Sequence, residues 1–192
     1  MAEMQMRIAI TGGIGSGKSS VLNMLENAGF KVISCDEVNG KLLSDKAYVE
    51  KIREYFPEAV TNNIIDRKKL SEIVFSDKVK LELLNGISHP IINNIILNGT
   101  KGDDIYFVEV PLLFESNSEE NFDKIMLVTA DKNIRIARVR KRDNRSVEEI
   151  ESIIDNQLKD YNNRRIDYII TNDGDMNNLK KEVECFLYTL KK

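Results

Sequence analysis

Five short apolar runs interrupt a chain whose remaining hydrophobic positions mostly recur at helical spacing. The runs are Ile8 to Ile10, Phe30 to Ser34, Ile105 to Val110, Ile125 to Thr129 and Tyr168 to Thr171. Three or four of them lack period-2 alternation, which predicts parallel strands buried on both faces. Val21, Leu22 and Leu25 give a helix face after the first run, with Gly29 as its stop. Between the second and third runs, from Glu37 to about Asn98, the pattern is mostly helical. Val38, Leu42 and Leu43 form one stripe, and Tyr48, Val49, Ile52, Tyr55 and Phe56 another, ending at Pro57. Leu70, Ile73, Val74 and Phe75 follow, then Leu81, Leu83, Leu84 and Ile87. His89-Pro90 reads as a fresh helix start, with Pro90 in the first helical position. This stretch exceeds a normal crossover between parallel strands, so it is predicted to be an inserted helical subdomain covering a second substrate. A charged helical segment spans Asp131 to Asn163, and a helix from Asn177 to Leu190 closes the chain.

The first run leads into Gly12, Gly13, Ile14, Gly15, Ser16, Gly17, Lys18 and Ser19, which fits G-x-x-x-x-G-K-[ST]. Such a loop turns backbone N–H groups inward around a phosphate chain, and the helix that begins near Lys18 adds the positive end of its dipole. Lys18 would neutralise β/γ-phosphate charge and the Ser19 hydroxyl would take one place on Mg²⁺. The bland alternative is a glycine-rich turn with a solvent-exposed lysine. The strand–loop–helix order around the motif favours the phosphate site. The predicted fold class is therefore α/β: a P-loop NTPase-type parallel sheet flanked by helices, with the helical insertion and an arginine-rich lid. Expected boundaries are a core of about 6–36, 103–130 and 166–192, a substrate subdomain of about 37–100 and a lid of about 131–163.

The chain has 192 residues, 42% of them hydrophobic, which suits one globular domain with a lid or insertion. Its net charge of −3 argues against nucleic acid as the main partner. Cys35 and Cys185 do not make a metal or redox pair by spacing. No apolar run approaches the length of a membrane span, and the first residues are too polar and short for a targeting segment, so a cytoplasmic protein away from membranes is expected.

Beyond the loop, Asp36 lies just past a strand end, where open parallel sheets bind ligands. It suits a base for an attacking hydroxyl, a holder of Mg²⁺-bound water, or a helix N-cap. Arg138 and Arg142, at i and i+4, share a helix face and suit phosphate oxygens, or else form a solvated basic face near Glu148, Glu149 and Glu151. His89 suits acid–base work or a structural hydrogen bond, and Arg67 a substrate phosphate or a cap ion pair with Asp66.

Taken in order, ITGGIGSGKSS (10–20), VISCDEV (32–38), DRKKLSEIVF (66–75), ISHPII (87–92), VPLLFE (110–115), RVRKRD (138–143), Gln157 and IDYIITNDG (166–174) closely resemble the dephospho-coenzyme A kinase family across nearly the whole chain. The resemblance implies transfer of the ATP γ-phosphate to the ribose 3′-hydroxyl of dephospho-CoA, with Mg²⁺, giving CoA and ADP, by a monomer or small homo-oligomer. It implies ATP held by residues 13–20 (Gly13, Ile14, Gly15, Ser16, Gly17, Lys18, Ser19, Ser20) together with Arg138 and Arg142. Asp36 matches the family's proposed base, Arg142 the lid arginine, and Arg67 and His89 positions near the acceptor. The family commonly has Asp-x-Asp where this chain has Ser34-Cys35-Asp36, and often an arginine where it has Gly40. Another small-molecule kinase on the same architecture is the enzyme alternative. A GTPase-like switch would need N-K-x-D, which does not occur here.

Overall fold

The computed structural model describes residues 5–75, 77–100, 104–111, 113–157 and 161–190, with the side chains of Asp36 and Phe75 excepted. Leu112 of the PLLFE run and residues 158–160 of the expected lid thus lie outside the described residues. The chain divides into two compact units, Met1–Ser34 with Gly102–Lys192, and Cys35–Lys101.

The larger unit begins with β1 (Met6–Thr11), α1 (Lys18–Asn27) and β2 (Lys31–Ile33). Helix α1 ends as its sequence indicates: Gly29 takes a left-handed φ of 90°, and the N–H of Phe30 reaches back to the Leu25 carbonyl at 3.1 Å. The chain leaves for the smaller unit and returns as β5 (Ile105–Glu109) and β6 (Lys124–Thr129). Then come α6 (Lys132–Asp143), α7 (Val147–Asp155), β7 (Tyr168–Thr171) and α8 (Met176–Leu190). The five strands form one parallel sheet in the order β2-β5-β1-β6-β7. Ile8, Ile10, Phe107, Met126 and Val128 are fully buried and pack with Val21, Leu25, Val183 and Phe186 of α1 and α8. Ala9, Val108, Ile125 and Leu127 at the alternate positions are buried as well, so β1, β5 and β6 are covered on both faces and do not alternate. Because β1 lies between β5 and β6, the loop after β1 opens at the carboxyl edge of the sheet, where the strand order reverses.

The expected charged segment after β6 is two helices rather than one. Asn144 stops α6 in a left-handed conformation, and Ser146 with Glu149 forms a reciprocal capping box that starts α7. Charged residues continue through the break while the backbone changes direction, so only the cap residues mark it.

The smaller unit holds α2 (Cys35–Ser44), α3 (Lys46–Tyr55), β3 (Val60–Thr61), β4 (Ile64–Ile65), α4 (Arg67–Phe75) and α5 (Lys78–Gly99). It has its own core of Leu42, Val49, Ile52, Phe56, Leu70 and Val74. Strands β3 and β4 form a hairpin, too short to show alternation, through Asn62 and Asn63 at φ 50° and 63°. Two expectations are corrected here. Helix α2 begins at Cys35, so Asp36 is its second residue and not the cap in front of it. Pro90 does not open a helix, because α5 runs unbroken through it. Pro90 has no N–H to give the Gly86 carbonyl, a loss of about 3 kcal/mol in a helix interior. Ile87, Ile91 and Ile95, one turn apart and packed against the unit's core, hold the helix in register across it. Among the described residues no helix is long and apolar enough to cross a membrane.

His89 sits inside α5, where burial lowers its pKa below the usual 6.5. The unfolded chain therefore takes up the proton first. The contribution of this group to stability is fully present above about pH 6.5, falls as pH drops from there to the lowered folded value, and levels off below it. His89→Gln is expected to flatten the fall in urea-unfolding stability as pH drops below about 6.5. A pH profile identical to that of the parent chain would refute this.

Candidate active site

The loop between β1 and α1 is shaped by what approaches it. Gly12, Gly15 and Gly17 take φ of 143°, 76° and 103°. A Cβ at Gly12 would strike the Val128 carbonyl of β6, and one at Gly17 the Asn172 side chain. These glycines admit close backbone approach as well as unusual φ. No side chain caps α1 and no acidic residue stands in its first turn, so its positive end faces the loop uncompensated from within the helix. Lys18 curls back over the loop, its Nζ donating to the carbonyls of Gly12 at 2.8 Å and Gly13 at 3.2 Å.

A cavity of about 500 Å³ opens along this loop. Ile14, Gly15, Gly17, Lys18, Ser19 and Ser20 line one side of it. Arg138 and Arg142 of α6 and Glu109 at the end of β5 line it as well. Gly13 and Ser16 instead face a second cavity of about 420 Å³ on the other side of the loop. The Ser16 hydroxyl is buried and hydrogen-bonds to nothing in the structure.

The two lid arginines differ. Arg138 is braced: it donates to the Asn172 carbonyl at 2.9 Å and to its Oδ1 at 3.3 Å. Asn172 in turn donates to the Ser16 carbonyl at 2.8 Å, so Arg138 supports the loop through Asn172. Arg142 forms a bidentate pair with Asp143 at 2.6 and 2.8 Å. That pair raises the Arg142 pKa and lowers that of Asp143, so both stay ionised. The acidic residues of α7 serve elsewhere: Glu149 closes the capping box, and Glu151 pairs with Lys132.

Asp36, Arg67 and His89 lie in the smaller unit. The Asp36 carboxylate is outside the described side chains. Arg67 is the first residue of α4, whose amides at Lys68 and Lys69 are capped by Asp66.

A family model described as CoaE, dephospho-CoA kinase, matches residues 6–178. The chain belongs to the dephospho-CoA kinase family. A dephospho-CoA kinase from Fusobacterium nucleatum is 40% identical over 190 residues, covering 96% of this chain and 98% of that one. One from Helicobacter pylori is 35% identical over 191 residues, covering 95% and 96%. Among solved structures, TT1252 from Thermus thermophilus is 31% identical with a TM-score of 0.83, covering 97% and 98%. Dephospho-CoA kinase from Campylobacter jejuni is 30% identical with a TM-score of 0.70, covering 96% of each chain.

Four polar residues of this dephospho-CoA kinase family member that touch the loop or line its cavity were given no role by sequence alone, although Gln157 and Asn172 belong to the stretches that mark the family: Glu109, Arg135, Gln157 and Asn172. Glu109 had a signal, since it is the one charge in the run IYFVEV. Its backbone pairs in register with Ile10, which puts it beside the start of the loop. Asn172 is 5% exposed and satisfies both Ser16 and Arg138. Asn172→Ala leaves a buried carbonyl and a guanidinium short of partners. A loss of about 1–3 kcal/mol in urea-unfolding stability is expected; a change below about 0.3 kcal/mol would show that the brace carries no energy.

Proposed function

We propose that this chain transfers the γ-phosphoryl group of ATP to the ribose 3′-hydroxyl of dephospho-CoA, giving CoA and ADP in the last step of CoA synthesis. The observation that carries this is one cavity, in a chain of this family, lined by Lys18, Ser19, Glu109 and Arg142 together. The loop amides surround the ATP phosphates, and Lys18 exchanges its own loop carbonyls for β/γ-phosphate oxygens.

The residues present fit Mg²⁺. Ser19 and Glu109 offer hard oxygen donors in the same cavity. That is the donor set of an ion shared with substrate phosphates rather than caged by protein. When bound, the ion supplies charge neutralisation on the β- and γ-phosphate oxygens. Asp36 takes the proton of the attacking 3′-hydroxyl as that oxygen bonds to phosphorus and the ADP oxygen leaves. Arg142 trades the Asp143 carboxylate for γ-phosphoryl oxygens, a comparable charge-assisted partner, and so bears on charge that develops in the transition state. Arg67 and His89 bind dephospho-CoA on this reading. The enzyme works in the cytoplasm as a monomer or small homo-oligomer.

A coupled ADP-release assay should show turnover that depends on dephospho-CoA and is not matched by nucleoside monophosphates. Asp36→Asn is expected to lower kcat by about 10²–10⁴ with ATP affinity kept. Near-normal turnover would remove the base role. Arg142→Ala should cost about 10²–10³ in kcat while dephospho-CoA binding changes little. Unchanged turnover would remove the arginine from the mechanism.

A further inference from the structure

Both main-chain polar atoms of Ile14, at the tip of the phosphate-binding loop, are held by side chains from the lid segment. The Ile14 N–H donates to Gln157 Oε1 at 2.9 Å. Its carbonyl accepts from Arg135 Nε at 2.8 Å. Arg135 also donates to the same Gln157 oxygen at 3.2 Å, which closes a ring of three hydrogen bonds. The glycines on either side make room for this. A Cβ at Gly13 would run into the Arg135 guanidinium, and one at Gly15 would meet the Arg135 carbonyl and Val139. The Ile14 side chain packs on Val139, Ile150 and Ile154, all nearly or fully buried between α6 and α7. The loop tip is therefore seated on the lid helices by its backbone and its side chain together.

A glycine-rich loop left to itself would have to be ordered when nucleotide binds, at a cost in backbone conformational entropy. A clamp on Ile14 meets part of that cost during folding. A glutamine suits position 157 because one amide oxygen accepts from both Ile14 and Arg135 without adding negative charge to a cavity meant for phosphates. Gln157 lines that cavity as well.

We propose that Arg135 and Gln157 are positioning residues that clamp Ile14 and hold the phosphate-binding loop in its nucleotide-binding conformation before nucleotide arrives. The kinase reading identifies the nucleotide, and the clamp itself is testable without the acceptor.

Two measurements on the full chain decide it. In the first, amide hydrogen exchange of the loop (residues 12–18) is followed without ligand. Gln157→Ala, or the near-isosteric Gln157→Met, is expected to exchange faster there, with the sheet unchanged. Gln157→Glu keeps an oxygen for both partners and should stay protected like the parent. In the second, Mg·ADP affinity and steady-state kinetics are compared. Gln157→Met and Arg135→Ala should each weaken ADP and raise KM for ATP about 3–10-fold, the worth of one net hydrogen bond. Meanwhile kcat and KM for dephospho-CoA should change less than about twofold. The double variant should cost less than the two single ones added together, since the Arg135–Gln157 bond is lost in each. Loop exchange unaltered in Gln157→Met, or Gln157→Glu exchanging like it, would overturn the clamp, as would a fall in kcat with KM for ATP unchanged. If the parent makes no CoA, the kinase reading fails, while ADP affinity and loop exchange still judge the clamp.

Discussion

The shape of the loop from Gly12 to Gly17 depends on its neighbours. Its glycines carry no side chains to make contacts, so the contacts come from outside: the Val128 carbonyl beneath Gly12, Arg135 over Gly13, Asn172 against Gly17 and on the Ser16 carbonyl. These supports come from β6, α6 and the end of β7, far apart in sequence. The sheet order sets them side by side, because β1 is flanked by β6 and β7 follows on the same edge. A site of this kind depends on the whole larger unit being folded, which is a common basis for preorganised charge stabilisation.

The lid segment thereby has two tasks. Arg142, paired with Asp143 on the exposed end of α6, can change partner at little cost, since solvent screens an exposed ion pair. Arg135 and Arg138 on the same helix are committed to backbone carbonyls. One helix thus supplies an exchangeable cation and fixed supports, and the difference is set by which carbonyls lie within reach.

Much was legible in the chain itself. The five apolar runs matched the five strands, and in the central β1, β5 and β6, covered on both faces, the apolar residues run on without alternation. Gly29 stopped α1 for a local reason, its left-handed φ. Local rules failed where packing overruled them. Pro90 reads as a helix start, yet the isoleucines around it carry α5 straight through. Of the roles open to Asp36, the cap in front of a helix fails because α2 already begins at Cys35. The break between α6 and α7 went unread because charged residues run on through it, although Ser146 and Glu149 stand at the spacing of a capping box.

The chain alone determined the phosphate-binding motif, the parallel sheet and the family, since each rests on residues close in sequence or on their order. Tertiary structure alone decided which side chains serve the loop. Nothing local marks Gln157 or Asn172 as partners of residues 14 and 16. They are separated from them by 143 and 156 positions, and only the packing of the lid and β7 against the loop brings a hydrogen-bond acceptor and donor to those backbone atoms. The same packing divided the arginines into one that is exchangeable and two that are fixed, a distinction of geometry that identical side chains at helical spacing do not carry.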